Sequence, residues 1–148
     1  MNKLVEYDFD GRPLWQQDFP SPWSADELPN GNILACSNKN IVREITRTGK
    51  IVWEMTPTDL PDYRFFGMQT AYRLPNGNTL INNWFNQSKR FKIDSSNLPV
   101  QFVEVTPAKE VVWALRSWQM PVRLGPATSI QLLNTKAKAE DVHFGPVH

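Results

Sequence analysis

Short runs of alternating apolar and polar residues, separated by turn residues, extend along most of the chain. Residues 28–34 (Leu-Pro-Asn-Gly-Asn-Ile-Leu) recur as residues 74–80 (Leu-Pro-Asn-Gly-Asn-Thr-Leu), and residues 130–134 form a degenerate third copy. An Asn-Gly pair between alternating apolar residues is typical of a β-hairpin closed by a two-residue type I′ turn. No segment sustains a 3.6-residue apolar period, so the pattern predicts strands and little helix.

A second module repeats three times without gaps, at residues 5–15, 43–53 and 103–113. Each copy has a glutamate at its second position and a tryptophan nine residues later. These residues are Glu6, Glu44 and Glu104, and Trp15, Trp53 and Trp113. Recurrence in one register favours a packing role for the tryptophans and a structural hydrogen bond, rather than catalysis, for the glutamates.

The two modules alternate and build four-stranded units of about 40–50 residues, which is the sequence signature of β-propeller blades. We therefore expect an all-β fold in which residues 1–148 form a single propeller segment of about three four-stranded antiparallel blades. The expected parts are an outer hairpin at 3–19, a blade at 22–56, a blade at 68–117, an inner hairpin at 126–134 and a last strand near 142–144.

About three blades are too few for a closed ring, because propellers close with roughly four to eight. An open segment would expose unpaired strand edges at both ends. Two interpretations remain open. The chain is the C-terminal part of a longer propeller whose other blades are missing here, or two copies join head to tail into a six-bladed homodimeric ring.

Composition excludes several classes of protein. The 148 residues contain 16 Lys+Arg and 15 Asp+Glu, so the net charge of +1 offers no basic excess for binding nucleic acid. No stretch approaches the roughly 20 apolar residues of a membrane span. Residues 1–20 lack the apolar core of a secretory signal, and one cysteine, Cys36, excludes an internal disulfide.

A family resemblance is carried by residues 74–81 and 103–113, which resemble the repeats of bacterial quinoprotein-like and arylsulfotransferase-like propellers. Residues 69–84 are similar to late blades of uncharacterised secreted propeller proteins from gut-type bacteria. The resemblance implies a propeller fold and a periplasmic or extracellular location, which the chain itself does not indicate. It also brings pyrroloquinoline quinone and calcium into consideration, although the residues themselves predict no cofactor.

The long connections of such blades all fall on one face, where binding residues are usually carried. Aromatic planes beside cationic groups suit a carbohydrate-like or anionic small molecule, through stacking and charge-assisted hydrogen bonds. The candidate ligand-binding residues on this face are Trp23, Arg64, Gln69, Trp84, Trp118 and Arg123.

The favoured function is therefore non-catalytic ligand binding or scaffolding. One alternative is a propeller hydrolase, lyase or transferase whose catalytic groups lie partly in missing blades. The resemblance implies a central histidine for transfer of a sulfuryl group, but the two histidines, His143 and His148, do not align with the start of an inner strand. No catalytic residue and no metal ligand is assigned. The other alternative is a platform for protein–protein interaction.

Overall fold

A computed structural model of the chain describes residues 2–85, 98–119 and 124–130, and within these ranges the protein is all-β. These ranges contain ten strands and one 3-10 helix, Pro57–Asp59. The strands are β1 (Lys3–Tyr7), β2 (Pro13–Asp18), β3 (Pro22–Glu27), β4 (Ile33–Ser37), β5 (Ile41–Ile45), β6 (Ile51–Met55), β7 (Met68–Arg73), β8 (Thr79–Asn83), β9 (Phe102–Val105) and β10 (Val111–Leu115).

The strands form three antiparallel sheets, which we call the first, second and third units. The first unit is the hairpin β1–β2, the second is the four-stranded sheet β3–β6, and the third is the four-stranded sheet β7–β10. Each four-stranded sheet joins its strands in chain order. Residues 124–130 contain no strand, and residues 131–134 and 142–144 lie outside the described ranges, so the hairpin at 126–134 and the last strand stay predictions.

The tight turns correct one sequence prediction. A two-residue type I′ turn needs positive φ at two consecutive residues, but Gly31 has φ 79° and Asn30 is not in the positive region. Instead, Leu28 N–H donates to the carbonyl of Asn32, and Gly31 N–H donates to the carbonyl of Leu28. The loop is thus longer, with a single left-handed residue. The Asn30 side-chain oxygen accepts the N–H of Asn32 at 3.0 Å and stabilises this form.

The same hydrogen-bond pattern closes the turns that follow β1, β3, β5, β7 and β9, which span residues 8–12, 28–32, 46–50, 74–78 and 106–110. The left-handed position is a glycine in four of them. In the fifth it is Lys109, with φ 68°, and its ammonium group bonds Asp59 at 2.7 Å. The turn at residues 106–110, which contains no glycine, therefore adopts the geometry of the others.

The second unit is packed on both faces, because successive side chains of a strand point to opposite sides of a sheet. All five residues of β4 are buried. On one face Leu34 and Cys36 join a core with Met68, Ala71 and Ile81 of the third unit. On the other face lies a smaller core with the first unit, formed by Ile33, Ala35, Ile45, Leu4 and Phe19.

The repeated glutamates connect turns to strands and units to each other. Buried Glu44 of β5 accepts hydrogen bonds from the Asn32 side chain at 2.6 Å and from Arg73 of the third unit at 2.8 Å. Glu104 accepts from the Asn78 side chain at 2.6 Å. Glu6 is bonded by Arg47 of the second unit. The glutamates therefore have structural hydrogen bonds.

The repeated tryptophans make an equally regular contact with the next unit. The Trp15 indole N–H donates to the carbonyl of Arg47 at 2.8 Å, and the Trp53 indole N–H donates to the carbonyl of Pro107 at 2.9 Å. A guanidinium lies over each ring, Arg47 over Trp15 at 5.2 Å and Arg73 over Trp53 at 5.1 Å. Hydrogen bonding and cation–π attraction thus hold each outer strand against the following unit.

Replacing Glu44 by alanine should destabilise the fold strongly. The change leaves the Arg73 guanidinium and the Asn32 amide without their carboxylate partner, which costs about 3 kcal/mol of unfolding free energy for a broken buried ion pair. Urea unfolding followed by circular dichroism measures the loss. The control is the exposed Glu110, whose change to alanine should cost under about 0.5 kcal/mol. Equal losses in both variants would contradict the structural role of Glu44.

Candidate functional site

The long connections lie at the end of the sheets opposite to the tight turns, because antiparallel strands in chain order alternate ends. The two long connections are residues 56–67 and 84–101, of which the structure describes 56–67, 84–85 and 98–101. This end, which we call the aromatic end, is defined by the five aromatic side chains that make ring–ring contacts there and by one arginine. They are Trp23, Arg64, Phe66, Trp84, Phe85 and Trp118.

Trp23 and Trp84 form an edge-to-face pair between the second and third units. Their ring centroids are 5.5 Å apart and their planes are 84° from parallel, and both side chains are half-buried. Gly67 makes the pair feasible, since a Cβ there would lie 2.8 Å from the Trp23 ring and 2.8 Å from the Trp84 carbonyl oxygen. Beside the pair, the Ser24 hydroxyl donates to the carbonyl of Gln69 at 2.8 Å.

A second aromatic group extends along the third unit. Phe85 lies 5.0 Å from Phe66 and 5.6 Å from Trp118, measured between ring centroids. The Arg64 guanidinium sits over the Phe66 ring at 4.6 Å. The Trp118 indole N–H donates to the carbonyl of Pro99 at 2.8 Å, so this tryptophan also anchors the connection before β9.

Two buried amides that the sequence did not single out as ligand-site residues hold these connections. The Asn83 amide donates to the carbonyls of Arg64 and Val100 at 2.9 and 2.8 Å, and its oxygen accepts the N–H of Phe66 at 2.8 Å. The Gln101 oxygen accepts the N–H of Ser117 at 2.7 Å, which fixes the segment leading to Trp118. The sequence feature that could have identified Asn83 and Gln101 is a polar residue at the end of an otherwise apolar strand.

The six predicted site residues have different outcomes. The structure pairs Trp23 with Trp84 across the two four-stranded units, and the Gln69 carbonyl accepts from Ser24, the residue after Trp23. Arg64 and Trp118 flank the second aromatic group, on either side of Phe66 and Phe85. Arg123 lies outside the described residues.

Several buried side-chain oxygens of the third unit have no hydrogen-bond partner among the described residues. They are Gln69 Oε1 and Thr70 Oγ1 of β7 and Asn82 Oδ1 and Thr79 Oγ1 of β8. A buried acceptor without a donor costs about 1–3 kcal/mol, so such groups in a folded protein call for an explanation. All four lie in the first two strands of the third unit.

A separate cleft of about 460 Å³ lies between the first and second units. It runs along β1, whose free edge has no strand beside it within the described chain, whereas the equivalent strands β5 and β9 are paired on both edges. Its charged lining residues are Lys3, Glu6, Asp26, Glu27 and Arg47. Hydrogen bonds that Arg47 donates to Glu27 and Glu6 raise the pKa of its guanidinium, so the cleft keeps this positive charge.

Cys36 is not a candidate nucleophile. Its side chain is buried in the core between the second and third units, and burial raises the pKa of the thiol to about 12. The reactive thiolate is therefore not formed near neutral pH. In the part of the chain that the structure describes, no three His, Cys, Asp or Glu side chains are grouped as a metal site would require. No helix there is long and apolar enough to cross a membrane.

Comparison with known proteins supports the fold and leaves activity open. No family model matches the chain, and no curated protein matches it. Among solved structures, the chain is similar to a protein of unknown function from Bacteroides caccae, with a TM-score of 0.65 and 22% identity. The match covers 79% of this chain and 43% of the other, so this chain spans less than half of that protein's length.

Replacing Gly67 by alanine should disturb the aromatic end. The added methyl group overlaps the Trp23 ring and the Trp84 carbonyl, and overpacking of this kind costs about 1–3 kcal/mol. Urea unfolding should show the loss, and tryptophan fluorescence should shift as Trp23 moves into water. Gly125→Ala is the matched control, because a Cβ at Gly125 meets no atom within 4 Å. An unchanged spectrum in Gly67→Ala would contradict the described packing.

Proposed function

We propose that this chain is a non-catalytic binding segment of a β-propeller, and that its aromatic end recognises an anionic carbohydrate-like molecule. The observation that carries the proposal is the Trp23–Trp84 pair beside Gln69, with Arg64 at the same end. Tryptophan faces stack on the apolar faces of sugar rings, and a guanidinium donates two parallel hydrogen bonds to one carboxylate or sulfate group.

The propeller part of the proposal is supported by the way the units follow one another. Each unit repeats the same turn, and the Trp15 and Trp53 contacts connect each of the first two units to the next. Within the described residues, the first unit has only two strands, β1 and β2, which correspond to β5 and β6 of the second unit. In the second unit β5 is paired with β4, whereas the same edge of β1 is free in the described chain. The hairpin is thus equivalent to the outer half of a third blade.

The binding part is supported by the position and chemistry of the aromatic end. It lies on long connections, which are the usual carriers of binding residues on a rigid β scaffold. Trp23 and Trp84 are only half-buried, so part of each ring stays accessible to a ligand. The side-chain oxygen of Gln69 in β7 is buried and has no donor among the described residues. It would accept a hydrogen bond from a ligand hydroxyl group that displaced the atoms covering it.

The experiment is titration calorimetry with dextran and with dextran sulfate of the same length, which differ only in charge. We expect binding of dextran sulfate in preference to dextran. Trp84→Ala and Trp23→Ala should each weaken binding about tenfold, by analogy with the stacking of a nucleobase on one aromatic ring, which contributes about 1–3 kcal/mol. Arg64→Met should remove most of the preference for the sulfated polymer.

Arg12→Met is the matched control, because Arg12 is an exposed arginine in a tight turn at the opposite end and pairs with Asp10. It should leave both affinities unchanged. Failure to bind either polymer, or equal binding by wild type and both tryptophan variants, would overturn the proposed site.

A further inference from the structure

Trp113 occupies the third position of a repeated contact but does not make that contact within the described chain. Trp15 and Trp53, its equivalents, each donate an indole N–H to a turn carbonyl of the next unit. No acceptor for Trp113 and no guanidinium over its ring is found among the described residues, and its exposed fraction is 41%. The outer face of the third unit therefore presents a donor and an aromatic surface.

The matching acceptor lies at the other end of the chain. The two carbonyls that accept from tryptophan belong to Arg47 and Pro107, each three residues after the repeated glutamate of its unit. The equivalent residue of the first unit is Phe9, three residues after Glu6. Its side chain is 97% exposed, and no hydrogen bond to its carbonyl is found in the described ranges.

A third residue marks the same face of the first unit. Tyr7 directly follows Glu6, as Ile45 follows Glu44 and Val105 follows Glu104. Ile45 is 3% exposed and Val105 is 0% exposed, but Tyr7 is 59% exposed. The position after the repeated glutamate is therefore buried in the second and third units, whereas in the first unit it exposes a large aromatic side chain.

We infer that two copies of the chain associate head to tail, with the Trp113 indole N–H of one copy donating to the Phe9 carbonyl of the other. The Phe9 ring takes the place that the Arg47 side chain has over Trp15 and covers the Trp113 indole. The same association places Tyr7 of one copy in a buried position. One chain carries both halves of a contact that it already makes twice internally, and this continuity favours a second copy over an unrelated partner.

Closure into a ring of two chains depends on the propeller part of the proposed function. Each chain has two four-stranded units and one hairpin in its described part, so two chains give six units, within the roughly four to eight that close a ring. Closure uses both open ends, so each dimer contains two Trp113–Phe9 contacts related by a two-fold axis.

Sedimentation equilibrium of the full chain tests the association. We expect wild type at twice the 17.1 kDa mass of the chain. Phe9→Ala, and Trp113→Phe, which keeps a ring and removes the N–H, should each weaken the dimer at least tenfold. Ile51→Ala is the control for an exposed apolar residue in the middle unit and should behave as wild type. A wild-type mass of 17.1 kDa at all concentrations, or assemblies larger than two chains, would overturn the inference.

Cross-linking tests the orientation without altering Phe9 or Trp113. Chains with Asp10→Cys and chains with Val112→Cys are mixed and treated with a short bismaleimide, to which the buried Cys36 is inaccessible. Head-to-tail association predicts cross-links between the two kinds of chain and none between like chains. Cross-links only between like chains would contradict it. Neither substitution alters the aromatic end, so dextran sulfate binding by these variants separates failure of the dimer from failure of the proposed site.

Discussion

The buried carboxylate of Glu44 is the interaction on which the described fold most depends. It takes the Asn32 amide of its own sheet on one oxygen and the Arg73 guanidinium of the following sheet on the other. One side chain thereby fixes a turn, a strand and the distance between two sheets. Arg73 in turn lies over Trp53, whose indole N–H reaches the turn of the third unit. The contact combines an ion pair shielded from water with hydrogen bonds that satisfy both oxygens, which is the condition under which a buried pair stabilises a fold.

The residues that stabilise the fold and the residues proposed to bind a ligand lie at opposite ends of each sheet. The carboxylates, asparagines and tryptophans of the repeat lie at the tight-turn end, where each turn has one hydrogen-bond pattern. The aromatic end has long connections that differ from unit to unit and are held individually, by Asn83 and Gln101. Changes in Trp23 or Trp84 remove their own ring contact but leave the Glu44–Arg73 and Trp53–Pro107 contacts between the second and third units. The same separation allows the proposed ligand and the proposed second copy to be tested independently.

Repetition determined which features could be predicted from the sequence. The hairpins and the structural roles of the glutamates and tryptophans follow from residues that recur in one register, and the structure gives them recurrent contacts. The turn type was wrong because Asn-Gly is compatible with two loop geometries, and the Asn30 side chain decides between them by bonding Asn32. The pairing of Trp23 with Trp84 and the position of Arg64 over Phe66 could not be predicted, because they depend on the paths of connections that do not repeat.

A double-mutant cycle between Glu44 and Arg73 tests the central claim most directly. Glu44→Gln, Arg73→Met and the double variant are unfolded in urea, and the interaction free energy is the difference between the double change and the sum of the single changes. The account predicts a coupling of about 1–3 kcal/mol in favour of the native pair, since each single change leaves a buried partner uncompensated. Additive losses within about 0.3 kcal/mol would contradict it, because they would mean that the Glu44–Arg73 pair does not hold the two sheets together.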